Sequence, residues 1–258
     1  MRRAVRIAAL GCILVGPTIA GEIPAGQRQS GSAFMSEAAR AMQGDDTSNP
    51  GMLSVLEGSR LWNAPVGNAA KSCASCHGDA TESMRGVAAR YPAYDERAGR
   101  PIDLAGRIDG CRQNHQGASA LSREGDDLLA LTAFIGIQSR GLAITPPDDP
   151  RLAPHVARGK DLFERRMGQL DLSCASCHDD NWRGRLGGSP ITQAHPTGYP
   201  LYRLEWQALG SLQRRVRNCM VGVRAKPFDH GAEELIALEL YLNRRAAGML
   251  LETPGVRP

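Results

Sequence analysis

Apolar residues recur at helical spacing in several separate stretches of the chain, whereas few stretches alternate in the manner of a strand. The clearest helical patterns lie at 126–138 and 231–245. The segments 88–101 and 183–200 are instead rich in glycine, proline and polar residues, and the pattern predicts loops there. The chain is therefore expected to be mainly α-helical.

The helical pattern occurs twice because the chain contains an internal duplication. The pentapeptide Cys73–His77 recurs as Cys174–His178 at a displacement of 101 residues, and later positions match at a displacement of 108 residues. A period this long excludes a solenoid, and each copy is expected to form its own core. Equivalent positions include Gly58 and Gly159, Tyr91 and Tyr199, Arg107 and Arg215, Cys111 and Cys219, and the apolar stretches 128–135 and 235–242.

The first twenty residues have the pattern of a secretory signal peptide. Three arginines precede the apolar stretch 7–15, and the small residues Thr18 and Ala20 occupy the −3 and −1 positions of a cleavage site. Cys12 lies within this segment and is expected to be removed with it, although acylation of Cys12 as in a lipoprotein is an alternative. No later apolar run is long enough to cross a bilayer. We expect export to the periplasm and no membrane span after cleavage.

Composition supports a folded protein with an unusual core. Of the 258 residues, 42% are hydrophobic and 22% are charged, which excludes a disordered polymer. There are only 3 Trp, 5 Tyr and 4 Phe, so part of the core could be filled by a cofactor. The net charge of +4 falls to +1 without the three arginines of the leader, and this balance does not support nucleic-acid binding.

The repeated Cys-x-x-Cys-His motif carries the chemistry. In c-type cytochromes the two thiols attach haem covalently and the histidine supplies an imidazole to iron. A single match could also be a zinc half-site or a thioredoxin-like redox pair. Two matches in equivalent units of an exported chain favour two covalently bound haem c groups. The attaching thiols would be Cys73, Cys76, Cys174 and Cys177, and the axial imidazoles would be His77 and His178.

These motifs, with a Gly-x-x-Leu-aromatic helix before each of them, resemble a tandem of class I cytochrome c domains. That resemblance implies a mainly α-helical protein. We divide the chain into a signal peptide at 1–20, an N-terminal extension at 21–50, a first repeat at 51–144, a linker at 145–152 and a second repeat, the catalytic one, at 153–258.

The duplication also indicates the sixth ligand of each iron. Cys111 and Cys219 are the aligned candidates, while no methionine or histidine is aligned in this region. A buried structural cysteine, ligation by His115 or Met220, and a Cys111–Cys219 disulfide are the alternatives. A thiolate ligand lowers the reduction potential, and a thiolate that can leave iron could act as a nucleophile.

The surroundings of Cys219 are basic. The segment from Arg214 to Lys226, both included, contains five positive residues and no acid. If 211–221 is helical, Arg215 lies one turn before Cys219 on the same face, where a guanidinium would favour a thiolate and bind an oxyanion. A solvated basic face or a docking patch is the alternative, and Arg107 at the equivalent place could pair with a haem propionate.

The segment Cys219-Met220-Val221-Gly222-Val223-Arg224-Ala225-Lys226-Pro227-Phe228, following a dihaem tandem, closely resembles the SoxA family. Residues 111–118 are similar to the segment of that family that carries the sulfur ligand of the first haem. The resemblance extends from about 52 to 242. Val223 and Lys226 depart from the family pattern, in which methionine and an acidic residue are expected.

The resemblance implies a periplasmic enzyme of sulfur oxidation. Such an enzyme, an L-cysteine S-thiosulfotransferase, joins thiosulfate to a cysteine of the SoxY subunit of a SoxYZ carrier and releases two electrons. It implies that Cys219 is the active-site cysteine, a ligand of the second haem and a site of persulfide formation. Arg215 corresponds to the substrate-binding arginine. The expected partner is a SoxX-type cytochrome in a heterodimer, which receives the electrons.

Two other functions fit a dihaem cytochrome. A thiosulfate dehydrogenase would couple two thiosulfate ions to tetrathionate. Such an enzyme is expected to use methionine or lysine as a ligand of its second haem, and Met220 is a candidate for that ligand. A non-catalytic electron carrier would use the basic residues near Cys219 only to dock an acidic partner.

Overall fold

The computed structural model describes residues 23–258. The predicted signal peptide and Cys12 lie outside the described residues. No helix in the described part of the chain combines the length and apolar character that crossing a membrane would require.

The described part of the chain consists mainly of short helices with small two- and three-stranded sheets. An N-terminal segment contains two 3-10 helices, Ala25–Gln27 and Gly31–Phe34, and helix α1, Glu37–Gly44. Ser36 begins α1 because its side chain accepts a hydrogen bond from the backbone of Ala39 at 3.2 Å.

Each repeat contains a first helix, the motif helix, a hairpin, the helix with the third cysteine and a last helix in that order, with a further short helix and a π-helical turn in the first repeat and an additional hairpin in the second. In the first repeat these are α2 Gly51–Asn63, α3 Ala74–His77, α4 Ala80–Ser83, β1 Ala93–Asp95, β2 Arg100–Ile102, α5 Leu104–Cys111, a π-helical turn Arg112–Gln116 and α6 Asp126–Ile137. In the second repeat they are α7 Ala153–Glu164, α8 Cys174–His178, β3 Arg185–Leu186, β4 Ser189–Pro190, β5 Leu201–Arg203, β6 Ala208–Gly210, α9 Leu212–Gly222 and α10 Glu233–Arg245, and strand β7 follows at Gly255–Arg257. Short 3-10 turns lie at Ala88–Arg90 and Pro150–Leu152.

The first and last helices of each repeat cross at a glycine. A Cβ on Gly58 of α2 would lie 2.1 Å from the carbonyl oxygen of Ala130 in α6. A Cβ on Gly159 of α7 would lie 2.0 Å from the carbonyl oxygen of Ala237 in α10. Any side chain would separate these helices, so the equivalent glycines hold the same helix crossing in both repeats.

Each repeat has its own hydrophobic core. The first core consists of Trp62, Ala80, Met84, Leu104, Ile108, Leu128, Leu131 and Ile135. The second consists of Leu162, Phe163, Leu235, Leu238, Tyr241 and Leu242. The first cysteine of each Cys-x-x-Cys-His motif, Cys73 or Cys174, packs against the core of its own repeat. The mainly helical two-repeat fold predicted from the sequence is confirmed.

The loop predictions were wrong in part. Within 88–101 the chain forms β1 and enters β2, which pair antiparallel with Asp95 opposite Arg100. Within 183–200 it forms the β3–β4 hairpin, and directly afterwards β5 pairs antiparallel with β6 and parallel with β7. These strands have two or three residues each, which is too short for an alternating pattern to be recognised in the sequence.

Candidate active site at the second Cys-x-x-Cys-His motif

The serine inside each motif fixes the turn that carries the two cysteines. Ser173 begins α8 by accepting a hydrogen bond from the backbone of Ser176 at 3.0 Å, and the side chain of Ser176 accepts one from the backbone of Ser173 at 3.2 Å. Ser72 and Ser75 repeat this reciprocal cap at 3.0 and 3.1 Å. The cap satisfies backbone donors at the start of a very short helix and holds the thiols in a defined turn.

The imidazole of His178 is oriented by the backbone. Its Nδ1 lies 2.6 Å from the carbonyl oxygen of Thr192, and since a carbonyl can only accept, Nδ1 carries the proton. Nε2 is then free to act as an acceptor or a metal ligand. In the first repeat the indole of Trp62 lies over His77 with ring centroids 5.7 Å apart and donates to the carbonyl of Gly78 at 3.1 Å.

Helix α9 brings Cys219 to His178. The side chain of Ser211 accepts from the backbone of Arg214 at 3.0 Å and begins the helix, which the sequence predicted at 211–221. The half-buried Cys219 lies close enough to the imidazole of His178 to interact with it. Burial, followed by the negative charge of Cys219, raises the pKa of Cys174 to about 12 and raises the pKa of Cys177 as well.

Cys219 is the thiol that is favoured to ionise. Its burial opposes ionisation, but the interaction with His178 and the positive charges of Arg215 and Arg203 outweigh that opposition and lower the pKa of Cys219. Arg215 lies one turn before Cys219 on α9, as the spacing predicts. Arg203, the last residue of β5, was not among the predicted site residues.

In the first repeat the equivalent cysteine, Cys111, has a raised pKa, whereas the pKa of Cys219 is lowered. Cys111 ends α5 and is close enough to Cys76 for their charges to interact. Burial raises the pKa of Cys111, and the charge of Arg107 opposes that effect only in part. Arg107 forms an ion pair with Asp95 at 2.7 Å and donates from Nε to the hydroxyl of Tyr91 at 3.1 Å.

The other predicted ligand candidates lie elsewhere. His115 is exposed. Met220 is buried and lines a 470 Å³ cavity with Leu162, Met167 and Phe228. The six cysteines of residues 23–258 are all free, so the alternative Cys111–Cys219 disulfide is absent there. Among those residues, no three His, Cys, Asp or Glu side chains converge as the ligands of a bare metal ion would.

Comparison with known proteins places this arrangement in a family. A family model described as SoxA/TsdA, cytochrome c domain, matches residues 57–144 and 158–251, which includes both Cys-x-x-Cys-His motifs. The chain belongs to the SoxA/TsdA family. The two matched segments correspond to the two repeats.

Relatives within the SoxA/TsdA family match most of the chain. The L-cysteine S-thiosulfotransferase subunit SoxA of Pseudaminobacter salicylatoxidans is 39% identical over 229 residues, which cover 88% of this chain and 80% of that protein. The subunit of the same name from Rhodovulum sulfidophilum is 36% identical over 229 residues, covering 89% and 80%. The crystal structure of SoxXA from P. pantotrophus matches with a TM-score of 0.86 and 33% identity, over 90% of this chain and 87% of that chain.

The residues present fit the covalently bound haem c that a SoxA/TsdA cytochrome c domain implies. Each motif offers two thiols and an imidazole on one short capped helix, with the first thiol against an apolar core. In the second repeat Thr192 holds His178 in the tautomer that leaves Nε2 for iron. A third thiol, Cys219, meets the same imidazole. This donor set suits haem attachment with histidine and sulfur as axial ligands.

Proposed function

We propose that the chain is the catalytic cytochrome subunit of an L-cysteine S-thiosulfotransferase of sulfur oxidation. The observation that carries the proposal is that Cys219 interacts both with Arg215, one turn before it on α9, and with His178 of α8, in a chain whose relatives carry that enzyme name. Its substrates are thiosulfate and a cysteine thiol of the SoxY subunit of a SoxYZ carrier.

Two haem c groups are proposed, one in each repeat. Cys73, Cys76 and His77 would hold the first, with Cys111 as its sulfur ligand. The second would be held by Cys174, Cys177 and His178, with Cys219 as its sulfur ligand. When bound, these groups would supply one-electron redox capacity.

The reaction joins two sulfur atoms oxidatively. Thiosulfate and the carrier thiol give a cysteine S-thiosulfonate, one proton and two electrons, so a sulfur–sulfur bond forms and the S–H bond breaks. Arg215 binds the anionic oxygens of thiosulfate, because a guanidinium fork suits an oxyanion. The sulfur of Cys219, favoured as a thiolate by Arg215 and Arg203, would bond to the outer sulfur of thiosulfate as two electrons are released to a partner cytochrome. The thiolate of the carrier cysteine would then bond to that outer sulfur, which transfers the thiosulfonate group to the carrier and releases Cys219 as a thiolate. A persulfide on Cys219 is part of this proposal, and its outer sulfur would take the place of the Cys219 sulfur in both steps.

The proposal includes partners and a location. The crystal structure that this chain resembles is titled SoxXA, which supports a heterodimer with a SoxX-type cytochrome that receives the two electrons. The signal-peptide pattern of residues 1–20 supports export to the periplasm.

Replacing Cys219 with alanine tests the proposed function. We expect Cys219→Ala to lower thiosulfate-dependent modification of the carrier thiol by more than about 10³-fold, since the nucleophile is removed. Intact mass should show two haems attached in both the wild type and the variant. Cys111→Ala is the matched control, because it removes the equivalent thiol of the first repeat and should retain most of the turnover.

Two outcomes would contradict the proposal. Carrier modification at the wild-type rate by Cys219→Ala would show that Cys219 is not the nucleophile. Formation of tetrathionate from thiosulfate alone, with the carrier thiol unchanged, would instead establish a thiosulfate dehydrogenase.

A further inference from the structure

The two repeats carry opposite charges at one equivalent position beside their cysteine-bearing helices. In each repeat a short hairpin comes before the helix, β1–β2 before α5 and β5–β6 before α9. The last residue of the first strand is Asp95 in one hairpin and Arg203 in the other, displaced by 108 residues. The duplication thus places an acid and a base at the same point of the fold.

In the first repeat this position neutralises the nearby arginine. Asp95 is buried and lies 2.7 Å from a guanidinium nitrogen of Arg107. The hydroxyl of Tyr91 accepts a second hydrogen bond from Arg107 at 3.1 Å. Arg107 therefore has little remaining capacity to attract an anion.

In the second repeat the equivalent residue, Arg203, adds a second positive charge beside Arg215. Burial, followed by the positive charge of Arg215, lowers the pKa of Arg203, so the two guanidinium groups are close enough to repel each other. In the part of the chain that the structure describes, Arg203 has one acidic partner, Glu205 at 2.9 Å, but the Glu205 side chain is 66% exposed and solvent weakens such a pair. Arg215 has no ion pair within residues 23–258.

Arg203 also has an unused hydrogen-bond donor. Its side chain is only 12% exposed, and its Nε–H is buried with no partner among the described residues. A buried donor without a partner is costly, and so are two like charges in a half-buried site. An anion between the two arginines would relieve both costs, and Cys219 interacts with both of them.

We propose that Arg203 and Arg215 together bind the sulfonate end of thiosulfate, and that Arg203 is a second substrate-binding residue that selects a doubly charged anion. This inference rests on the proposed function and extends it. Two planar guanidinium groups can satisfy several sulfonate oxygens at once and leave the outer sulfur for Cys219. The first repeat, with Asp95 in place of Arg203, cannot form such a site.

Three substitutions of Arg203 in the haem-loaded complex test the inference. Arg203→Gln removes the charge and should raise the KM for thiosulfate by roughly 10- to 100-fold, with kcat changed far less. Arg203→Lys keeps the charge and should recover part of that loss. Arg203→Asp recreates the acid of the first repeat and should weaken thiosulfate binding most, measured by calorimetry as well as by KM.

A matched control separates substrate binding from a structural role. Asp95→Asn alters the equivalent hairpin position of the first repeat and should leave the KM unchanged. Arg203 also lies over the ring of Trp206, with its guanidinium carbon 5.2 Å from the ring centroid, so it could instead be a purely structural residue. In that case Arg203→Gln would lower Tm and leave the KM within about twofold of wild type, which overturns the inference.

A change at Glu205 keeps the inference testable if the Arg203 variants fold poorly. Glu205→Gln removes the acidic partner from an exposed side chain and should lower the KM for thiosulfate, because Arg203 loses a competing anion. An unchanged or raised KM would contradict the inference.

If the KM of Arg203→Gln stays at the wild-type value while Cys219→Ala loses turnover, only the role of Arg203 is wrong. If the wild type does not modify the carrier thiol, the proposed function itself is wrong.

Discussion

Arg215 and Arg107 occupy equivalent positions one turn before a cysteine, and their surroundings set different roles. Arg107 is held by Asp95 and Tyr91, whereas Arg215 interacts with Cys219 and Arg203 and has no ion pair in the part of the chain that the structure describes. An arginine without an acidic partner beside a thiol is available to a substrate anion.

Substitution of Arg215 should therefore impair thiosulfate use. We expect Arg215→Gln to raise the KM for thiosulfate by roughly 10- to 100-fold, since a charged hydrogen bond to the substrate is lost. Steady-state kinetics of carrier modification measures the effect. Arg107→Gln is the control and should lower stability instead, because it removes the ion pair of the buried Asp95 and leaves that carboxylate its backbone hydrogen bond from Ala98, at a cost of about 1–3 kcal/mol. Equal KM values for Arg215→Gln and the wild type would exclude substrate binding by Arg215.

The sequence identified the residues near Cys219 only where spacing along one helix connects them. Arg215 is found in this way because a helical turn places residues four apart on one face. Arg203 lies sixteen residues before Cys219 on a different element, so no local spacing indicates it. The sequence feature that could have identified Arg203 is the displacement of 108 residues between the repeats, which makes Arg203 the equivalent of Asp95. The carbonyl of Thr192 that orients His178 could not be predicted, since any residue type supplies a carbonyl.

At the level of elements, the repeated helix crossing depends on a glycine. Gly159→Ala should destabilise the second repeat by roughly 2–4 kcal/mol, because its Cβ would lie 2.0 Å from the backbone of Ala237 and the helices would have to separate. Thermal denaturation of the haem-loaded protein measures the change. Gly58→Ala should destabilise the first repeat by a similar amount, because its Cβ would lie 2.1 Å from the backbone of Ala130.

A helical glycine with free space provides the control for these two substitutions. Gly44 ends α1, and a Cβ added there would have no neighbouring atom within 4 Å, so Gly44→Ala should change stability by no more than about 0.5 kcal/mol. Equal small effects at Gly44 and Gly159 would show that the helix crossing does not require glycine.

The long helices were predictable and the small sheets were not. The pattern at 126–138 and 231–245 corresponds closely to α6 and α10, which span Asp126–Ile137 and Glu233–Arg245, because several turns of apolar spacing accumulate over a long helix. The hairpin strands have at most three residues, and partners such as β5 and β7 lie far apart in the chain. Their pairing depends on tertiary contacts that a local pattern does not contain.

At the scale of the whole molecule, the two repeats meet where their cysteine-bearing helices begin. Asp103 caps α5 by accepting from the backbone of Gly106 at 2.7 Å, and Gln213 of α9 donates to the same carboxylate at 3.0 Å. Arg123 forms an ion pair with Asp103 at 2.6 Å. In the second repeat Ser211 caps α9 and donates to Glu124 at 2.5 Å. Equivalent helix caps thus share one polar interface between the repeats.

Glu239 of α10 makes this interface sensitive to pH. Burial, followed by the negative charge of Asp103, raises the pKa of Glu239 to about 8 from an ordinary value of 4.5. Gln213 and Arg123 favour the ionised form and Glu124 opposes it, and these effects leave the pKa raised. Between pH 4.5 and about 8 the folded protein therefore holds a proton on Glu239 that the unfolded chain has already released. Stability falls as the pH rises through this interval, because the unfolded state binds fewer protons there.

Glu239→Gln should remove this pH dependence. Glutamine resembles the protonated side chain, so the variant should match the wild type near pH 5 and exceed its stability near pH 8 by about 1 kcal/mol or more, or roughly 2–4 °C in Tm for a chain of this size. Thermal denaturation of the haem-loaded protein from pH 5 to 8 measures both curves. Glu234→Gln on the same helix is the control, because it removes an acid that pairs with the half-exposed Arg158 outside this interface. A variant whose stability falls with pH as steeply as that of the wild type would show that Glu239 is ionised in the folded protein.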